Sequence, residues 1–79
     1  MHVELLPSGT IAASWTDADG RLYLANVWPS GLPVWTATAE VISAGDFDSG
    51  LRFGRSPEAA LRKAIRAIKN LAGRKTFAA

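Results

Sequence analysis

Two Asp-x-Asp pairs and a comb of cations are where this sequence could do chemistry. Asp17/Asp19 and Asp46/Asp48 each place two carboxylates two positions apart. Oxygen ligands spaced this way can contribute to a Mg²⁺ or Ca²⁺ site, but such a site needs a fuller ligand set than either pair supplies. Aspartates also stabilise turns by bonding their own backbone, and both pairs read that way first. The cations are Arg62, Lys63, Arg66 and Lys69, extended by Arg52, Arg55, Arg74 and Lys75. Groups at this spacing line one side of a helix and can meet phosphates, with an affinity that falls steeply with salt. The plainer reading of the same residues is a solvated helix face.

General acid–base and nucleophilic catalysis need converging groups. The one histidine is His2, and there is no cysteine. The sequence has neither a Gly-x-Ser-x-Gly elbow nor a phosphate loop. It therefore predicts a non-enzymatic protein, with no cofactor and no metal. Its apolar runs are too short to cross a membrane, and the start lacks the basic and apolar regions of a secretory signal.

Charge is divided along the chain. Residues 1–50 carry Glu4, Asp17, Asp19, Glu40, Asp46 and Asp48 against Arg21, a net −5. Residues 51–79 carry eight bases against Glu58, a net +7. The overall +2 conceals this. Such asymmetry points to a charged partner, or to acidic loops neutralising a basic helix within the same molecule.

The elements that would hold these groups follow from periodicity. Seventy-nine residues, 48% of them apolar, make one domain with a small core. His2 to Leu6 reads as a strand, ended by Pro7-Ser8-Gly9. Thr10 to Thr16 alternates, with Ile11, Ala13 and Trp15 on one face. Asp17 to Gly20 is a hairpin loop with Gly20 left-handed. Arg21 to Trp28 is apolar on both faces, which predicts a central strand. Two prolines around Gly31 interrupt the pattern. Val34 to Ser43 is the longest strand, and its Ala37 and Ala39 are small enough to lie beneath a helix. Ala44 to Gly50 reads as a loop, and Leu51 to Phe53 as a short last strand.

Ser56, Pro57 and Glu58 open a helix as N-cap, first residue and dipole partner. Gly73 is the expected stop, so the helix should cover 57–72 and leave a tail at 73–79. Ala60, Leu61, Ala64, Ile65, Ile68, Leu71 and Ala72 share one arc of it, and the cations the other. Trp15 and Trp35 sit in alternating apolar sets and read as core, whereas Trp28, beside Pro29, fits core or exposed contact equally well. The expected fold is α+β: an antiparallel sheet of four, possibly five, strands with one C-terminal amphipathic helix on one face.

Three resemblances bear on function. Gly50-Leu51-Arg52-Phe53-Gly54-Arg55-Ser56 and the alanine-rich helix after it resemble the last strand and helix of double-stranded-RNA-binding domains. Those domains open with a helix and carry a Lys-Lys-x-Ala-Lys clamp, where this chain has Ser56 to Ala60. Gly54 to Leu61 also looks like the strand-to-helix junction of HicB-family antitoxins, which implies a small toxin as partner. In kind, as a tiny, bipolar, cysteine-free sheet-and-helix chain, the protein resembles phage-encoded anti-CRISPR proteins.

That last resemblance implies an inhibitor in a bacterial cytoplasm that binds a CRISPR effector complex. Asp17, Asp19, Glu40, Asp46 and Asp48 would then imitate phosphates. The alternative partner is nucleic acid itself, held by Arg52, Arg55, Arg62, Lys63, Arg66 and Lys69.

Overall fold

The computed structural model describes residues 1–42 and 47–78, with side chains for all of these except 47 and 72–78. Six strand segments precede one helix: β1 (His2–Leu5), β2 (Ile11–Thr16), β3 (Leu22–Pro29), β4 (Trp35–Val41), β5 (Phe47–Asp48), β6 (Arg52–Gly54) and α1 (Pro57–Ala78). The sheet is antiparallel throughout, in the order β1-β2-β3-β4, and β5 and β6 share the far edge of β4. There are thus five rows, the last of them interrupted. This is the expected α+β architecture, with β3 central as its two apolar faces require.

The interruption is a β-bulge. Glu40 faces Asp48 and Ala37 faces Arg52, so residues 49–51 stand opposite only Thr38 and Ala39. The extra residue is accommodated by Gly50, whose φ of 68° suits glycine. Ser49 completes the pairing. Its N–H donates to the Ala39 carbonyl at 2.7 Å, and its hydroxyl accepts from the Ala39 N–H at 2.8 Å. A side-chain oxygen thereby stands where a ladder carbonyl would be. Sequence patterning expected a loop from Ala44 to Gly50; Ala44 to Asp46 lie outside the described residues, and Phe47–Asp48 pairs with β4, next to a Ser49 bond that composition does not reveal.

The core lies between the sheet and the helix. Tyr23, Ala25, Val27, Ala37, Ala39 and Val41 form its floor, and Ala60, Ala64 and Ile68 its roof. Ala37 and Ala39 lie under the helix, as their size predicted. Alanine against alanine lets the helix settle close, and Val27, Val41 and Ile68 supply the bulk. Each of those three contributes about 1.5–3 kcal/mol by leaving water. Ile11, Trp15, Trp35 and Leu61 pack around this cluster half-buried, so both tryptophans flank the core rather than fill it. Trp15 stacks flat on Tyr23, with ring centroids 5.1 Å apart.

The helix starts as its sequence dictates. The Ser56 hydroxyl accepts the Ala59 N–H at 3.1 Å, capping an otherwise unpaired donor. Gly54 allows β6 to meet this first turn, since a Cβ there would lie 2.6 Å from the Ala60 nitrogen. The expected stop at Gly73 and tail at 73–79 are corrected: α1 continues through Gly73 to Ala78. Glycine ends a helix only by turning left-handed. Here it stays helical at about 1 kcal/mol against alanine, and no proline follows to force an end.

The helix touches β3, β4, β5 and β6 but neither β1 nor β2. Two surfaces remain open: the sheet face opposite the helix, and the β1 margin of the helix-bearing face, where Val3 and Leu5 are exposed.

Candidate functional site

The basic residues divide by geometry. Lys63, Arg66 and Asn70 follow one another at helical intervals of three and four, so they project from one flank of α1. Across from them stands Arg52. Because of the bulge, Arg52 pairs with Ala37 and shares its helix-side orientation, whereas Phe53 shares the opposite face with Thr36. Arg52, Lys63, Arg66 and Asn70, with Ala67 and Leu71, line a concavity of about 410 Å³. Among the described residues, no carboxylate lines it. Among the described residues, none of its three cations makes an ion pair. Lys63 Nζ donates to the Phe53 carbonyl at 2.8 Å, which anchors the ammonium at the rim and leaves further N–H donors for a ligand.

Arg62 and Lys69 are exposed on the outer ridge of α1, and Arg55 is exposed in the turn before it. None of the three lines the concavity. The side chains of Arg74 and Lys75 lie outside the described residues. Asn70 carries no charge and was missed in the sequence; its position four residues after Arg66 is the signal that could have found it.

The acidic residues do not form one surface. Asp17 is consumed by its own hairpin. Its Oδ1 accepts the N–H groups of Asp19 and Arg21 at 2.9 and 3.0 Å, and its Oδ2 accepts the Tyr23 hydroxyl at 2.7 Å. That hydroxyl is the main reason the Asp17 carboxyl is held below the usual aspartate range; the two backbone donors and the Arg21 guanidinium add to it, and burial opposes it. Arg21 also reaches Asp19 at 3.5 Å. The Asp17/Asp19 pair is therefore a turn with its own counter-ion. Asp46 lies outside the described residues.

Glu40 and Asp48 are different. They face each other directly across β4 and β5 on the open side of the sheet, and neither pairs with a cation among the described residues. With Thr38, Ala39, Gly50 and Leu51 they line a second groove of about 400 Å³. Asp48 Oδ1 accepts the Gly50 N–H at 2.8 Å, which fixes it beside the bulge. No cluster of three or more metal-ligating side chains occurs among the described residues.

Trp28 is half-buried on the open face, in one row with Thr36 and Phe53. Thr36, only 3% exposed, lies between these two aromatic residues and donates to the Ser30 hydroxyl at 2.6 Å.

The fold defines a small α+β domain: one open antiparallel sheet, one basic helix, and two grooves of opposite charge. No protein-family model matches the chain, and no match is found among curated proteins or solved structures. No helix among the described residues is long and apolar enough to cross a membrane.

Proposed function

We propose that this chain is a non-enzymatic nucleic-acid-binding module that takes backbone phosphates in the concavity between β6 and α1. The observation that carries this reading is the convergence of Arg52, Lys63 and Arg66 on one concavity, with no carboxylate in its lining among the described residues. Guanidinium groups bind phosphate oxygens through paired, charge-assisted hydrogen bonds. The Asn70 amide adds a neutral donor, and Ala67 and Leu71 offer an apolar floor to a sugar. Arg62 and Lys69 continue the positive field along the helix, which suits a chain of phosphates better than a single anion.

The test is anisotropy of labelled single-stranded and duplex DNA and RNA at low salt. Binding is expected, and Lys63→Glu with Arg66→Glu should abolish it. Either no binding to any of the four probes or full binding by the reversed variant overturns the reading.

A second reading is supported by Glu40 and Asp48. Like charges directly opposite across a ladder destabilise a sheet. A basic partner in the groove would relieve that repulsion. On this reading the chain is an inhibitor of the anti-CRISPR kind, and these carboxylates imitate phosphates toward a CRISPR effector complex. Glu40→Lys with Asp48→Lys should then abolish capture of such a complex and leave nucleic-acid binding unchanged. Unaltered capture by that double variant would exclude the acidic groove as the contact.

A further inference from the structure

The two edges of the sheet are treated differently. At the β6 edge the Lys63 ammonium occupies the Phe53 carbonyl, and Arg52 and Arg55 flank it. Charge placed this way is how sheets prevent their edges from pairing with other strands. The β1 edge has no such guard. Its residues are all exposed, and no lysine, arginine or proline lies within His2–Leu5. Met1 is 71%, Val3 57% and Leu5 72% exposed. Val3 and Leu5 pair with Ala13 and Ile11, so they lie on the helix-bearing face, beyond the helix's reach.

Ladder parity shows which backbone groups are open. The Leu6 N–H donates inward to the Thr10 carbonyl. Antiparallel pairs alternate, so Glu4 and His2 also bond inward, and Val3 and Leu5 point their N–H and C=O outward. We infer that β1 is a self-pairing edge, which joins a second copy of this chain in antiparallel register with Val3 opposite Val3 of the other copy.

The register follows from chemistry. Outward-pointing residues must face one another, which restricts the alignment to steps of two residues. Centring on Glu4 sets two carboxylates opposite each other, and centring on His2 sets imidazole against imidazole. Centring on Val3 places His2 opposite Glu4 twice, a complementary pair on the open face. On the other face Met1 meets Leu5 twice around the central valines. Every outward N–H and C=O of Val3 then has a partner, and so has each Leu5 N–H.

Sedimentation equilibrium without nucleic acid, from micromolar to millimolar chain, tests this. The mass should rise toward that of two chains, and the Val3 and Leu5 amides should slow in hydrogen exchange as concentration rises. His2→Glu alone and Glu4→Lys alone should each weaken association about tenfold, since each places two like or mismatched charges across the axis. The His2→Glu/Glu4→Lys double variant should restore it, because it rebuilds the same pairing with the charges exchanged. Both residues are exposed, so circular dichroism should show an unchanged fold. A single-chain mass throughout, concentration-independent Val3 and Leu5 exchange, or no rescue by the double variant each overturns the inference.

Discussion

The Tyr23 hydroxyl donates a 2.7 Å hydrogen bond to Oδ2 of Asp17, tying a ring in the core to the tip of the β2–β3 hairpin. The bond shifts both groups in opposite senses. It lowers the Asp17 carboxyl, while burial first, and then this bond, raises the Tyr23 phenol. A lowered carboxyl contributes stability that is present above the ordinary aspartate value of about 4 and is lost as pH falls below it. A raised phenol contributes stability that is present below about 10 and is lost as pH rises beyond it. The melting temperature should therefore fall on both limbs. Asp17→Asn should flatten the acid limb, and Tyr23→Phe should lower the plateau and flatten both. Thermal melts from pH 2 to 11 check this.

Gly54 meets the first turn of α1 through backbone atoms, which cannot swing aside. Gly54→Ala should cost about 1–3 kcal/mol, the usual penalty for overpacking. In a domain of this size each kcal/mol corresponds to about 4–8 °C of melting temperature. A loss of less than a degree would mean that β6 and α1 are not in contact there.

Ser49→Ala removes the acceptor for the Ala39 N–H in a site that is only 3% exposed. An orphaned buried donor costs about 1–3 kcal/mol. Urea denaturation should show a lower midpoint. Hydrogen exchange should show faster loss of the Ala39 amide than of its neighbours.

Phosphate contacts are counted by salt. Three contacts give a log–log slope of about −2.7, and each one lost should reduce its magnitude by about 0.9. Arg52→Ala, Lys63→Ala and Arg66→Ala should each do so. Asp19→Ala, at the distant hairpin, should leave the slope unchanged. Binding isotherms between low and physiological salt decide it.

Local chemistry made much of this fold legible. Ser56, Pro57 and Glu58 mark the helix start because capping depends only on neighbours in sequence. The alternation around Ala25 and Ala37 exposes the sheet for the same reason. The helix end was not legible, since a glycine can stop a helix or continue it and nothing beside Gly73 decides which. Phe47–Asp48 was hidden because it pairs next to a bond between the Ser49 hydroxyl and a backbone ten residues earlier. The basic concavity was half legible. Lys63 and Arg66 declare themselves by spacing, but Arg52 joins them only through the bulge. Asp17 looked like free surface charge because its partner Tyr23 arrives from the far strand of the hairpin.

The bulge at 49–51 has one further consequence. Along a strand, odd and even positions take opposite sides, and the additional residue exchanges them from there onward. Regular alternation through 49–51, with Gly50 kept and the bulge flattened, would undo that exchange. Arg52 would then turn away from the helix and stand on the same side as Asp48 and Glu40, and Phe53 would rotate beneath α1. The separation of positive and negative grooves onto two sides of one sheet thus hangs on the parity of a three-residue stretch. Deleting Gly50, by contrast, would remove the bulge and leave Arg52 opposite Ala37 on the helix side, because it is the bulge's extra residue that is lost.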